Sequence, residues 1–336
     1  MFFAGKCDII IWKDFKGDLF FMDWWIVPVA VAVLSVLFLT TAYVCYRLTF
    51  AVPKKYKTAR PLIPKGGQYD AVSEISERLV DEVMAIPCEE ISIKTKDGLT
   101  LFGRYYEKTP GAPVDILFHG YRSSSLLDFS GGVQLVMKCG CNAIMVDQRS
   151  HGRSDGHCLS FGISERHDLV EWVNYAIERF GSDVKIILSG MSMGAATVLM
   201  ASELDLPENV VGIFSDCGYS SPREIIRKVL RDMKLPVGPT YFMIRLGAIL
   251  FGGFDPDSAS AESALAKNSR IPVLFIHGED DRFVPCEMSR RNYDACRAEK
   301  RLLTVKDAGH GLSYLVDYES YSQAVKEFLS KAGGAS

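Results

Sequence analysis

The sequence predicts an α/β domain built on a mostly parallel sheet, preceded by one membrane-spanning helix. The first observation is that short apolar runs alternate with helical stretches from about residue 114 onward, as in strand–helix–strand units. The second is a long uncharged apolar stretch near the N-terminus. Among the 336 residues 48% are hydrophobic and 24% are charged, which is typical of a packed globular protein. The net charge of −3 argues against a basic nucleic-acid-binding protein.

The N-terminal apolar stretch, residues 24–46, contains no charged residue. As a helix with ~1.5 Å rise per residue it reaches ~34 Å, enough to cross the hydrocarbon core of a bilayer. Trp24 and Trp25 at one end, with Tyr43 and Tyr46 at the other, fit the two membrane interfaces. A buried core helix or a cleaved signal peptide is the alternative, but no small-residue cleavage site follows the stretch. We therefore predict a transmembrane anchor.

The flanking charges predict the orientation of this anchor. Residues 1–23 hold three lysines and four aspartates, whereas residues 47–65 hold six basic residues and no acid. The positive flank stays on the cytoplasmic side, so we expect a single-pass protein of the cell membrane with its large C-terminal part in the cytoplasm. The nine cysteines are scattered and form no paired CxxC motifs, which favours reduced thiols over disulfides or a zinc site.

The first predicted strands of the folded domain form an antiparallel hairpin, which follows a predicted helix. Residues 90–106 alternate around Asp97-Gly98, a strong hairpin turn signal. Six apolar runs are predicted as further strands: 114–119, 142–147, 184–189, 210–215, 272–277 and 301–305. The principal helices are predicted at 73–86, 164–180, 193–204 and 318–331.

One stretch, residues 219–270, interrupts the alternation. It holds two apolar helical segments, 223–234 and 239–251, and is too long for a simple crossover, so we predict an inserted cap. Two roles stay open for the apolar faces of the cap: packing onto the core, or forming an acyl pocket or a membrane-facing lid. The predicted domain division is 1–23 short N-terminal segment, 24–46 transmembrane helix, 47–72 basic linker, and 73–336 folded domain with its cap insertion at about 219–270.

The strongest local motif is the Gly-Met-Ser-Met-Gly sequence at 190–194. It lies between a predicted strand and a predicted helix. Gly190 and Gly194 allow a sharp turn that holds Ser192 out above the edge of the sheet. Because a serine hydroxyl is a weak nucleophile without a base, Ser192 requires a histidine nearby.

Acidic residues and a histidine follow at the ends of later predicted strands. Three adjacent acids occupy 279–281, just after one strand, and His310 follows the next. We predict that His310 takes the proton from Ser192 and that one of the acids orients His310. Spacing alone does not choose among the three acids.

Two backbone N–H groups are predicted to stabilise an oxyanion. The N–H of Met193 is positioned by the turn that carries the serine. The N–H of Tyr121 comes from the loop after strand 114–119, where Gly120 lets the backbone turn. His119 competes as a catalytic base, but its place at a strand end favours a structural role.

Together these motifs resemble those of the α/β-hydrolase superfamily. In the superfamily's order, the matching residues are His119-Gly120, 147–154, 190–194, 277–285 and Gly309-His310. The resemblance covers roughly residues 88–331, and its motifs are similar to those of the serine-aminopeptidase-like branch. It implies an eight-stranded, mostly parallel sheet with helices on both faces. It also implies that Asp281, three residues before Val-Pro, is the catalytic acid.

The run at 147–154 resembles a loop that shapes the site in this superfamily without acting in catalysis. His151, His157 and Asp155 could mimic a metal cluster, but a structural role is favoured. We expect neither a metal nor an organic cofactor.

We therefore expect a serine hydrolase, carboxylesterase- or lipase-like, that cleaves a carboxylic ester through an acyl-enzyme on Ser192. The expected partners are a small-molecule or lipid-like acyl substrate and the membrane through residues 24–46, with no nucleic acid. Three alternatives stay open: a serine peptidase or aminopeptidase of the same mechanism, an acyltransferase, and a non-catalytic scaffold tethered at the membrane.

Overall fold

The structure is a computed structural model that describes residues 25–57 and 60–333. Before them it describes only the backbone of two short paired strands, Ile11–Lys13 (β1) and Leu19–Phe21 (β2). The rest of the predicted N-terminal segment, 1–23, lies outside the described residues.

An eight-stranded sheet organises the chain from residue 89 onward. Its strands are β3 (Glu89–Lys94), β4 (Thr100–Tyr106), β5 (Val114–Phe118), β6 (Asn142–Val146), β7 (Ile186–Met191), β8 (Val210–Asp216), β9 (Val273–Gly278) and β10 (Lys300–Val305). Their order across the sheet is β10-β9-β8-β7-β5-β6-β4-β3. Strand β4 pairs antiparallel with both of its neighbours, and all other neighbours are parallel. This confirms the predicted fold class.

Twelve helices of four or more residues are described besides 3-10 and π turns. They are α1 (Ile26–Phe50), α2 (Ser73–Ala85), α3 (Ser125–Asp128), α4 (Gly132–Lys138), α5 (Glu165–Phe180), α6 (Met193–Ala201), α7 (Pro222–Asp232), α8 (Val237–Gly247), α9 (Ala261–Leu265), α10 (Cys286–Ala295), α11 (Ser313–Val316) and α12 (Tyr318–Gly333). Five of these helices are not predicted from the sequence: α3, α4, α9, α10 and α11.

Apolar side chains alternate between the two faces of the sheet, so that each face has its own core. On β5, Ile116 and Phe118 belong to the core that contains helices α5 and α6, whereas Leu117 belongs to the core that contains α4 and α12. This alternation follows from the two-residue period of a strand. Helices therefore cover both faces, as the resemblance implied.

Helix α1 is the one helix of the described residues that is long and apolar enough to span a membrane. It extends four residues beyond the predicted end at Tyr46. Most of it is exposed, but Ala42, Tyr46 and Phe50 are buried against the domain. The last turn of α1 is thus part of the apolar core, although the sequence predicts a basic linker from residue 47. Two 3-10 turns, Lys54–Tyr56 and Gly67–Val72, lead on to α2.

The cap contains α7, α8, a π-helical turn at Ala248–Gly252, and α9. Helix α8 packs along α1 at close range. A Cβ atom added to Gly247 would lie 2.3 Å from the carbonyl oxygen of Ala42, so only glycine permits this approach. The predicted domain division itself remains a prediction.

Candidate active site

Ser192 occupies the turn between β7 and α6. Its φ of 54° lies in the left-handed region, where a residue with a side chain is strained. The N–H of Ser192 donates to the carbonyl of Asp216 at 2.8 Å, which fixes the turn. A Cβ at Gly194 would lie 1.8 Å from the carbonyl oxygen of Phe118, so glycine is required there. The predicted turn thus projects Ser192 at the carboxyl end of the parallel strands.

The structure brings Ser192, His310 and Asp281 together. His310 Nε2 lies 3.0 Å from Ser192 Oγ, and His310 Nδ1 lies 2.7 Å from Asp281 Oδ2. Asp281 follows β9 and His310 follows β10. These residues meet because parallel strands end at the same edge of the sheet. The hydroxyl, imidazole and carboxylate form a continuous chain of hydrogen bonds.

Asp281 is the one of the three adjacent acids that faces His310. Residues 279 and 280 are exposed, whereas Asp281 is buried. Its Oδ1 accepts hydrogen bonds from the N–H groups of Phe283 and Val284 at 2.9 and 2.8 Å. The turn after β9 therefore aims this carboxylate at the histidine.

A second histidine, His277, was not assigned a role from the sequence. Its Nε2 lies 3.2 Å from Asp281 Oδ2, and its Nδ1 lies 2.7 Å from Ser289 Oγ. Burial acts to raise the pKa of Asp281, but hydrogen bonds with His277 and His310 outweigh burial and hold that pKa well below its usual range. Ionised Asp281 thus stabilises the fold above the ordinary carboxyl pKa, and this contribution is lost as the pH falls through the lowered value.

The loop after β5 is held over Ser192 by a partly buried carboxylate, that of Asp128. The N–H of Gly120 and the hydroxyl of Ser123 each donate to Asp128 at 2.6 Å. Burial raises the pKa of Asp128. A Cβ at Gly120 would lie 3.3 Å from Ser192 Cβ, so the loop and the serine are in close contact. No sequence motif pointed to Asp128.

The two predicted oxyanion donors belong to the two segments that meet at Ser192, namely the loop after β5 and the start of α6. Within residues 60–333, the N–H groups of Tyr121 and Met193 donate to no other protein group. Met193 begins α6, and Tyr121 follows the glycine in contact with the serine. Both N–H groups are therefore available to a ligand at Ser192.

The same loop is bonded to the C-terminal end of α1. The hydroxyl of Tyr121 donates to the carbonyl of Thr49 at 2.9 Å. The guanidinium of Arg122 donates to the carbonyls of Leu48 and Ala51 at 2.7 and 2.8 Å. A helix leaves its last carbonyls without helical partners, and here the loop next to the serine satisfies three carbonyls at this end.

The remaining histidines of the sequence motifs have structural partners. His119 Nε2 accepts from the N–H of Gln148 at 3.1 Å, and His151 Nε2 accepts from the N–H of Arg122 at 3.2 Å. His119 is fully buried and contacts the ring of His151 at 4.7 Å between centroids.

Among the described residues, His151, His157 and Asp155 do not form a group with metal-ligand spacing. The one such group there is Cys217, Asp281 and His310. Two of its members, Asp281 and His310, already form the hydrogen bonds that lead to Ser192.

A cavity of about 880 Å³ opens at Ser192 and His310. The lining is largely apolar, with Phe129, Val136 and Phe214 among the lining residues. The lining also includes Tyr56 and the stretch 61–65, which follow α1 in the chain. No described residue of the predicted cap, 219–270, lines this cavity. The segment that the sequence predicts as a linker therefore contributes to the wall, and the cap does not.

The eight-stranded sheet, with a serine at its strand–helix turn, defines a protein of the α/β-hydrolase fold class. A family model described as "Alpha/beta hydrolase family" matches residues 116–327. The chain therefore belongs to the alpha/beta hydrolase family.

Relatives of this chain include an uncharacterized protein and a protein described as an esterase. The uncharacterized protein YqkD of Bacillus subtilis is 29% identical over 215 residues, which is 64% of this chain and 70% of YqkD. The bifunctional esterase/perhydrolase DCH of Acinetobacter calcoaceticus is 23% identical over 271 residues, 66% of this chain and 92% of DCH.

Solved structures show the same fold. The Pyrococcus furiosus esterase Pf2001 aligns with a TM-score of 0.61 and 22% identity, covering 83% of this chain and 100% of that chain. Est1E from Butyrivibrio proteoclasticus, with ferulic acid bound, aligns with a TM-score of 0.56 and 21% identity, covering 72% of this chain and 98% of Est1E. At these identities the likeness concerns the fold alone.

Proposed function

We propose that this chain is a membrane-anchored serine esterase that cleaves a carboxylic ester with an apolar acyl group. The observation that carries the proposal is the hydrogen-bonded chain Ser192–His310–Asp281 at the mouth of a largely apolar cavity. The similarity to the bifunctional esterase/perhydrolase DCH supports the choice of ester chemistry. Fold alone does not select a substrate.

The distances support a two-step acyl transfer. Ser192 Oγ attacks the ester carbonyl while His310 Nε2 takes its proton, and the N–H groups of Tyr121 and Met193 stabilise the oxyanion. His310 then protonates the departing alkoxide, leaving the acyl group on Ser192. A water molecule, deprotonated by His310, attacks the acyl-enzyme and releases the carboxylic acid. Ionised Asp281 holds the imidazole in the required tautomer throughout.

Replacing Asp281 by Asn should lower kcat by roughly 10³- to 10⁴-fold, because an amide cannot support the imidazolium that forms on His310. The measurement is steady-state hydrolysis of a p-nitrophenyl ester. Asp280→Asn is the matched control, because that neighbouring residue is exposed, and we expect its kcat to stay close to wild type. Equal losses in the two variants would remove Asp281 from the proposed mechanism.

The cavity lining favours an ester over a peptide with a free N-terminal amine. An aminopeptidase site needs a carboxylate for the ammonium group. Asp128 is the one carboxylate among the described lining residues, and both of its oxygens already accept hydrogen bonds from Gly120 and Ser123. The other charged groups at the lining, Lys55, Lys65 and Arg122, are basic. We therefore rank aminopeptidase activity lower, although the motifs resemble the serine-aminopeptidase-like branch.

A substrate panel tests the acyl group directly. We expect hydrolysis of p-nitrophenyl esters from two to sixteen carbons to peak at medium or long chains, because each buried methylene adds ~0.8 kcal/mol of binding. Preference for acetate would contradict the apolar pocket. Faster turnover of aminoacyl anilides than of esters would establish a peptidase. Product analysis with added alcohols separates hydrolysis from acyl transfer.

We further propose that α1 anchors the chain as a single-pass protein with its catalytic domain in the cytoplasm. The apolar residues of α1 before Ala42 are exposed, as lipid-facing side chains would be. The basic flank at 47–65 supports the orientation. If α1 were a cleaved signal sequence, its removal would take the buried side chains of Tyr46 and Phe50 out of the core. This argues that α1 is retained in the protein.

A further inference from the structure

Four large apolar side chains of the cap are exposed on α8 and the π-helical turn. Phe242 is 56% exposed, Ile249 44%, Leu250 51% and Phe251 38%. We call these four residues the apolar cap face. They do not line the cavity at Ser192, so the proposed function leaves them without a role. In water such exposed aromatic and aliphatic side chains mark an interaction surface.

The apolar cap face adjoins the membrane helix directly. The rings of Phe38 and Phe242 lie 6.4 Å apart, and those of Tyr43 and Phe251 lie 5.2 Å apart. At Gly247 the two helices approach so closely that a Cβ would lie 2.8 Å from Tyr46 Cβ. Small residues of this kind permit close packing of membrane helices. The cap face and the exposed side of α1 therefore form one continuous apolar surface.

The position of Phe38 gives the depth of this contact. Phe38 lies eight residues before Tyr46, the end of the predicted span. At ~1.5 Å per residue this is ~12 Å along the helix, compared with ~15 Å for half of a bilayer core. Phe242 packs at the level of Phe38. With α1 spanning the bilayer, Phe242 is therefore well below the headgroups.

The charge pattern of the cap helix suits an apolar surrounding. Residues 237–252 contain a single charged side chain, Arg245. Its Nε and one terminal nitrogen donate to the two oxygens of Asp255 at 2.8 and 2.7 Å. Paired charges of this kind carry a smaller cost in a lipid environment than isolated ones. The rest of the segment is uncharged.

We propose that the apolar cap face is inserted among the lipid acyl chains of the cytoplasmic leaflet, beside α1. In this arrangement both α1 and the apolar cap face hold the catalytic domain at the membrane. The domain is therefore not connected to the membrane by a flexible linker alone. The proposal rests on the proposed anchor, since the depth is measured along α1. Its partner is the bilayer itself, not a second protein.

Site-specific photocrosslinking in the full chain, reconstituted in phosphatidylcholine and phosphatidylglycerol vesicles, tests this insertion. The photoreactive residue p-benzoyl-phenylalanine replaces Phe242 or Leu250 in separate variants. Leu34, exposed on α1, serves as the positive control. Tyr318, an exposed aromatic residue on the opposite face of the sheet, serves as the negative control. After illumination, mass spectrometry measures the yield of phospholipid adduct on each variant.

We expect phospholipid adducts at Phe242 and Leu250 in roughly tenfold higher yield than at Tyr318, because membrane-inserted residues meet acyl chains directly. Adducts at Leu34 but not at the two cap positions would overturn the insertion while leaving the anchor intact. A chain-to-chain adduct from Phe242 in place of lipid would overturn it in favour of a self-contact. Loss of adducts at Leu34 as well would overturn the anchor and, with it, this inference.

Discussion

Replacing Ser192 by Ala is expected to abolish ester turnover, with kcat reduced by roughly 10⁴- to 10⁶-fold. The hydroxyl 3.0 Å from His310 Nε2 is the proposed nucleophile, and alanine leaves water as the one remaining attacking group. The fold should persist, because alanine fits wherever serine fits. The measurement pairs steady-state hydrolysis with labelling by a fluorophosphonate probe, which reacts with an activated serine.

Ser215→Ala is the matched control for this variant. Ser215 is fully buried and pairs with Gly190 across β7 and β8, next to the turn that carries Ser192. Its hydroxyl has no hydrogen-bond partner among the described residues, so its removal should change kcat little. Turnover in Ser192→Ala comparable to that of Ser215→Ala would contradict the nucleophile. Failure of the wild type to hydrolyse esters or take up the probe would favour the scaffold alternative.

The fold was predictable because its signals are local. The two-residue and 3.6-residue periods of apolar side chains specify strands and helices, and Asp97-Gly98 specifies the hairpin between β3 and β4. The short helices α3 and α11 were missed because four residues carry no detectable periodicity. The turn at Ser192 is recognisable for the same reason, because its motif is contiguous in the sequence.

The candidate site was only partly predictable because several of its contacts depend on loop conformations that no sequence motif specifies. Asp128 supports Gly120 across eight residues, and no motif marks it. His277 was visible in its motif, four residues before Asp281, but its contact with the acid depends on the turn after β9. The cavity wall at 61–65 was missed because its Pro- and Lys-rich composition is typical of a linker.

The C-terminal end of α1 lies four residues beyond the end that hydropathy predicts. Arg47 interrupts the apolar run, so hydropathy ends the helix at Tyr46. The backbone continues as a helix to Phe50, whose side chain is buried by tertiary contacts. Packing against Phe161 and Phe254, with ring centroids 5.7 and 5.0 Å away, could not be inferred from residues 47–50 themselves.

This buried turn leads to a second large expected effect. Phe50→Ala should lower the free energy of unfolding of the catalytic domain by about 3–5 kcal/mol, the usual cost of emptying a buried phenylalanine site. Phe50 is fully buried, and its ring contacts with Tyr46, Phe161 and Phe254 are lost in the variant. For a domain of this size the Tm should fall by roughly 10 °C. The measurement is thermal unfolding of the full chain in detergent micelles, followed by circular dichroism.

Leu48→Ala is the control on the same helical turn. Its side chain is 70% exposed, so we expect a change within about 0.5 kcal/mol. Both variants remove apolar atoms from the same segment and leave its backbone bonds to Tyr121 and Arg122 available. A difference between them therefore isolates the burial of Phe50. Equal Tm values would mean that residues 47–50 are a linker, as composition alone predicts, and that the apolar helix α1 ends outside the folded domain.

The consequence of Phe50 for activity follows from the same contacts. Phe161 packs on Phe50 and also on Tyr121, with ring centroids 5.7 and 5.1 Å apart. Loosening the helix end should therefore loosen the loop that carries the Tyr121 N–H. We expect slower fluorophosphonate labelling of Ser192 in Phe50→Ala, even at temperatures where the domain is folded, and unchanged labelling in Leu48→Ala. If the rate of labelling were unchanged in both variants, the C-terminal end of α1 would contribute to stability and not to the geometry of the loop at Ser192.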